Sequence, residues 1–245
     1  MSYKSAQSEV RDKDCIYCSI VGTGIAKAIG VDTSENTIAK RKDGWLRISS
    51  KNFLRHGEEL ITFLGEGRNL YVSEILEQLD RVEVLRNYPM KEINQVKLDY
   101  LKQEFLAKLI GLKDQKADNT GLVTSMGKNG RHVRIAPMFD YDYSFFIGEK
   151  VDLSVNKCDN GREDIASLII QYKDYPGFIN FVKSAVSSLD MNKVYRGIYK
   201  DTGLSIFQNP ENNTTLKRFS DFVESNLDKA RFALDQLFPN ERGEK

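Results

Sequence analysis

Three cysteines and two histidines in 245 residues leave little from which to build a disulfide or zinc framework. Cys15, Cys18 and Cys158 are too few and too unevenly spaced for a disulfide scaffold, which fits a reducing compartment. Cys15 and Cys18 form a CxxC, but a structural zinc site needs a second ligand pair, and His56 and His132 stand apart from each other and from the thiols. The pair is therefore read as one turn of an amphipathic helix with both thiols on or near its buried face. No apolar run reaches about eighteen residues, and the opening MSYKSAQSEVRDKDC lacks the apolar stretch of a signal peptide. The expectation is a soluble, cytoplasmic protein without a membrane segment. An excess of one charge is missing too: 36 Lys and Arg against 35 Asp and Glu leave a net +1. That balance argues against a protein whose main task is neutralising a nucleic-acid backbone. No internal repeat or low-complexity tract is present.

What is there suffices for a folded body. With 40% hydrophobic and 29% charged positions, the chain can bury a core in one large domain or two small lobes. From about Glu9 to Ile29 the apolar residues recur every three or four positions and stop at Gly30, which predicts a helix. TIAKRK and GWLRISSKNFL, joined by Asp43-Gly44, predict a strand hairpin that runs into the connector SSKNFLRHGEE. Helical patterns follow at 69–86 and 91–110, separated by Pro89. After the loop GLKDQKADNTG, the stretches LVTSM and HVRIAP around Asn129-Gly130 predict a second hairpin. The segment DYDYSFFIGEKVDLSVNKCDNGRED has no steady period and reads as long and irregular. Helices return at 162–173, 176–189 and 214–238, the last with Leu216, Phe219, Val223, Leu227, Ala230, Leu234 and Leu237 on one stripe.

The chemistry concentrates in the middle. Phosphoryl transfer from ATP needs a group that orients or deprotonates the attacking hydroxyl, and hard oxygen ligands for Mg²⁺. Asp114 and Asn119 stand five positions apart in a loop after a long helix, a spacing that lets both side chains face one set of phosphates. The hairpin then leads to Asp140 in IAPMFDYDY. Taken singly, these residues equally suit turning the chain and capping neighbouring elements; the order helix, DxxxxN loop, hairpin, aspartate favours a site for metal and nucleotide.

The segments ISSKNFLRHGEEL, GLKDQKADN and IAPMFDYDYS, in that order, resemble kinases of the HipA family and relatives such as the CtkA-like kinases. There a strand and hinge are followed by helices, a DxHxxN loop and an APxYD segment. The resemblance covers roughly residues 8–145 and extends more loosely through the helical C-terminus. It implies an α+β, mostly helical, protein-kinase-like fold: a reduced N-terminal lobe over 1–55, with helix, β-hairpin and hinge, and a helical C-lobe over 56–245. It also implies serine/threonine kinase activity with ATP and Mg²⁺. Asp114 would serve the acceptor hydroxyl, and Asn119 and Asp140 would hold the metal. The hinge at Ser50, Lys51, Asn52 and Phe53 would read adenine, with Phe53 as an apolar contact. Asp142 ranks below Asp140, which occupies the aspartate of APxYD as APMFD.

The departures are specific. Where the family loop carries His, this chain has Lys116, either near the phosphates or a solvated charge. GTGIAKAIG is no substitute for a phosphate-covering loop, because Lys27 breaks the glycine spacing and the string lies in a helical pattern. Lys4 reads as a remnant of the strand lysine and Glu9 as a remnant of its helix partner. Hence a separate N-lobe-like or antitoxin protein is an expected partner, beside the protein substrate. The competing reading is a truncated, inactive kinase-like binding or regulatory protein of toxin–antitoxin type. Direct nucleic-acid binding ranks third, since QYKDYPGFINFVK and NKVYRGIYK read more simply as helix faces and core.

Overall fold

The structure is a computed structural model that describes residues 11–40, 46–63, 71–81, 88–112, 120–127, 130–138, 141, 144–145 and 164–239. Helix α1 (Arg11–Ile29) is followed by strands β1 (Asn36–Lys40), β2 (Leu46–Ser50) and β3 (Glu58–Thr62), then helices α2 (Val72–Arg81) and α3 (Met90–Ile110). Strands β4 (Gly121–Gly127) and β5 (Gly130–Ile135) precede α4 (Ile165–Gln171), α5 (Phe178–Ser188), α6 (Met191–Thr202), two 3₁₀ turns and α7 (Thr214–Leu237). Strands β1 and β2 form an antiparallel pair, while β3, β4 and β5 form a three-stranded antiparallel sheet in that order.

The periodic segments fold as their spacing predicts. In α7 the residues Leu216, Phe219, Val223, Leu227 and Ala230 are buried, and Leu234 and Leu237 pack at the margin of the core. Asn213 accepts from the Leu216 N–H at 3.0 Å and so caps the first turn of this helix. In α4 Asp164 does the same for Ser167 at 2.7 Å. The stretch NKVYRGIYK is the body of α6, with Val194, Tyr195 and Ile198 buried. Cys18 is fully buried on α1, and its thiol donates weakly to the Ser144 carbonyl at 3.4 Å.

One element departs from the sequence pattern, and one string, helical as expected, gains a purpose. The expected connector, which runs to Glu59, ends instead in strand β3 (58–62), whose partner β4 lies about sixty positions away, Glu58 facing Ser125 and Thr62 facing Gly121. The glycines of GTGIAKAIG are packing positions within α1. A Cβ on Gly22 would stand 2.9 Å from Cγ of Tyr141, and one on Gly24 would stand 2.9 Å from Cδ1 of Ile198 in α6. Their absent side chains let the helix approach its neighbours, so α1 lies against α5 and α6 as well as β2.

Candidate functional site

The C-terminal end of α3 is closed by backbone hydrogen bonds from several directions. Gly111 takes φ 63°, a left-handed conformation that suits glycine, and the Leu112 N–H returns to the Ala107 carbonyl at 2.8 Å. The buried amide of Asn226 on α7 donates to the Lys108 and Leu109 carbonyls at 3.3 and 3.1 Å. The Phe145 N–H takes the Ile110 carbonyl at 2.7 Å. The carbonyls that a helix end leaves without intrahelical partners are thus satisfied from α7 and from the segment after β5.

Both ends of the β4–β5 hairpin's open side are tied together. The Ala136 N–H donates to the Gly121 carbonyl at 2.8 Å, and the Ala136 carbonyl accepts from the buried Gln103 amide of α3 at 2.7 Å. A Cβ on Gly121 would stand 2.7 Å from the Ile61 carbonyl oxygen, so only glycine fits where β4 opens beside β3. Next, Met138 is held by the connection between α1 and β1. Its N–H donates to the Asp32 carbonyl at 3.0 Å, and its carbonyl accepts from the Ser34 N–H at 2.9 Å and the Thr33 hydroxyl at 3.1 Å. Tyr141 is fully buried beneath α1, with its hydroxyl 2.7 Å from the Thr33 hydroxyl. Burial pushes that phenol far above its ordinary value, so it is neutral and anchors the chain without titrating. Gly121 and Met138, the neighbours of the segments that contain Asn119 and Asp140, are therefore joined through Ala136.

The connector expected as a hinge has its own polar framework. The Lys51 N–H donates to the Glu35 carbonyl at 2.8 Å, and its ammonium pairs with the exposed Glu35 carboxylate at 3.1 Å. The Asn52 side chain accepts from the Leu54 N–H at 3.1 Å and turns the chain there. Phe53 is half-buried, and its carbonyl accepts from Arg134 Nη2 on β5 at 3.3 Å. The same nitrogen lies 3.0 Å from Glu58 Oε2 on β3. Burial alone would raise the Glu58 carboxyl, but the Arg55 N–H and the Arg134 guanidinium outweigh it and hold the group below its usual range. Desolvation raises the Asp32 carboxyl, and Arg134 opposes that only in part. Arg134 and Glu58 carry no motif in the sequence; a signal for β3 was available in the apolar and β-branched run LIT after Gly57.

Of the residues expected at the site, Lys51, Asn52 and Phe53 stand in one connector below β2, and Ser50 is the last residue of that strand. Asp114, Lys116, Asn119, Asp140 and Asp142 lie outside the described residues. Cys15 and Cys158, Lys4 and Glu9 fall outside the described side chains as well. Among the described residues, no group of three or more His, Cys, Asp or Glu side chains is placed to hold a metal ion, and no helix is long and apolar enough to cross a membrane.

The order of a long helix, a three-stranded antiparallel sheet and a helical C-terminal half matches a HipA-like kinase fold. The solved structure of the proinflammatory kinase CtkA from Helicobacter pylori matches it with a TM-score of 0.64, over 96% of this chain and 90% of that one. Identity between the two is 16%, so the likeness establishes the fold and leaves the chemistry to the residues. HipA of Shewanella oneidensis MR-1, solved in complex with HipB and operator DNA, matches at a TM-score of 0.39 and 12% identity, covering 90% of this chain and 55% of that one. No family model matches the sequence, and no curated protein does.

Proposed function

We propose that this chain is a serine/threonine protein kinase of the CtkA-like type, transferring the γ-phosphate of ATP to a protein hydroxyl with Mg²⁺. Asp114 orients or deprotonates the acceptor hydroxyl. Asn119 and Asp140 hold Mg²⁺ against the ATP phosphates, and the connector 50–53 receives adenine. In this chemistry catalysis is mostly positioning and charge neutralisation, which explains why two carboxylates and an amide suffice as the reacting set. Lys116 takes the place after Asp114 from which a cation can neutralise phosphate. The protein substrate is one partner. Residues 1–55 form the smaller, hinge-bearing lobe, and a second protein is a further partner beside the substrate.

The observation that carries this reading is the junction of Gly121 with Ala136 at 2.8 Å, on a fold that matches a kinase over 96% of the chain. It ties Gly121, two positions after Asn119 in the sequence, to Ala136, four positions before Asp140, and so supports a reading in which the two share a metal. Calorimetric titration with ATP and Mg²⁺ tests it. Wild type is expected to bind only when Mg²⁺ is present, and Asp140→Ala to lose that Mg²⁺-dependent binding. A wild type that binds no nucleotide, with or without an added partner, defeats the kinase reading and leaves a kinase-like scaffold that acts by interaction.

A further inference from the structure

We propose that Arg134 is a positioning residue of the nucleotide site, fastening the hinge to the strand that runs into Asp140; this rests on the kinase reading above. Two stretches of chain meet at its guanidinium and a third lies within its field. Phe53 offers its carbonyl at 3.3 Å, Glu58 its carboxylate at 3.0 Å, and Asp32 lies in the field of the same cation. Glu58 Oε2 also accepts the Arg55 N–H at 2.8 Å, so the chain on both sides of Leu54 is held to this one ion pair.

The placement follows from the sheet. Arg134 on β5 pairs with Val123 on β4, which pairs with Leu60 on β3. Glu58 lies two residues from Leu60 and so points to the same face. Arg134 therefore reaches across the central strand, past the buried Val123, to join the two edge strands. The opposite face carries Leu122, Val133 and Ile135 into the main core. One sheet thus has an apolar side that fixes it to α3 and a polar side that fixes the hinge. A planar guanidinium suits this task, since it holds two acceptors in a set direction and keeps its charge when partly covered.

The consequence for function is directional. The Phe53 carbonyl fixes the plane of the peptide that follows it, and hence the direction of the backbone groups available to adenine. Without Arg134 that carbonyl loses this donor and Glu58 is left as a poorly solvated carboxylate without its cation. The hinge then relaxes, while the segments that contain Asn119 and Asp140 keep their attachments through Ala136 and Met138. Adenine recognition weakens and phosphate recognition does not.

Three probes separate these ends: adenosine, Mg·tripolyphosphate and Mg·ATP, each titrated into wild type, Arg134→Met and Arg134→Lys. Arg134→Met is expected to weaken adenosine and Mg·ATP about tenfold, the size of one charge-assisted hydrogen bond, and to leave Mg·tripolyphosphate unchanged. Arg134→Lys should recover part of the loss, and in turnover KM for ATP should rise with kcat held. If Arg134→Met does not fold, Arg134→Lys carries the same comparison. Unchanged adenosine affinity in the folded variant, or equal weakening of adenosine and tripolyphosphate, overturns the positioning role. A wild type that binds none of the three overturns the kinase reading itself, with this proposal.

Discussion

The end of α3 and the hinge are both sites where chain reversals meet, and they are held in different ways. At α3 the partners are buried: Asn226, Gln103 and Tyr141 lie at 8, 4 and 0% exposure and bond to backbone or to Thr33. At the hinge the partners are half-covered charges, with the Arg134 side chain 34% exposed and the Lys51 and Glu35 side chains above two thirds. Buried bonds are costly to break because an orphaned group has no water to turn to. Exposed ones are cheap and reversible. On the kinase reading proposed above, the buried platform would serve the reacting groups and the more exposed connector would adjust to a nucleotide.

Gly22→Ala breaks the rigid side most strongly. Its new Cβ, 2.9 Å from the Tyr141 ring, forces α1 or Tyr141 to shift. Overpacking of this kind costs about 1–3 kcal/mol, read as a lower melting temperature. Gly197 on α6, where a Cβ would meet nothing within 4 Å, is the control. Gly197→Ala should hold or raise stability, by up to about 1 kcal/mol, through helix propensity alone. Asn226→Ala comes next, since it strips the donor from the Lys108 and Leu109 carbonyls at 3.3 and 3.1 Å. A loss of about 1–2 kcal/mol in denaturant unfolding is expected.

Glu58→Gln makes the smallest change and sharpens the contrast through pH. The folded state holds this carboxyl below its ordinary value of 4.5, so it binds protons less readily than the unfolded chain does. Its contribution is therefore full above that value and is lost as pH falls through the folded value. Melting temperatures of wild type and Glu58→Gln should differ at neutral pH and converge in acid. A difference that persists unchanged at low pH would show that the ion pair with Arg134 is not what holds the hinge.

How much of this could be read from the sequence depends on the range of the interaction. Local periodicity marked α1, α3 and α7, and turn chemistry at Gly130 marked the β4–β5 hairpin, because each is decided within a few residues. Strand β3 carried only the short run LIT as a signal, and its five residues gain their place from β4. The glycines at 22 and 24 could be excluded from phosphate binding by spacing, yet their purpose required Tyr141 and Ile198, more than a hundred positions away. Among hinge residues, a family resemblance brought out 50–53 as a group. It did not distinguish the turn made by Asn52 from the surface pair of Lys51 with Glu35. Arg134 was silent for the same reason as β3, as its partners are assembled only by the sheet.

The central claim is that a rigid platform presents Asp114 to an acceptor hydroxyl. Label transfer from γ-labelled ATP with Mg²⁺, to the chain itself and to a general protein acceptor, tests it most directly in wild type and Asp114→Ala. The account predicts label on serine or threonine in wild type, and a rate at least about a hundredfold lower in a variant that still binds Mg·ATP. Equal label transfer by the two proteins would contradict it.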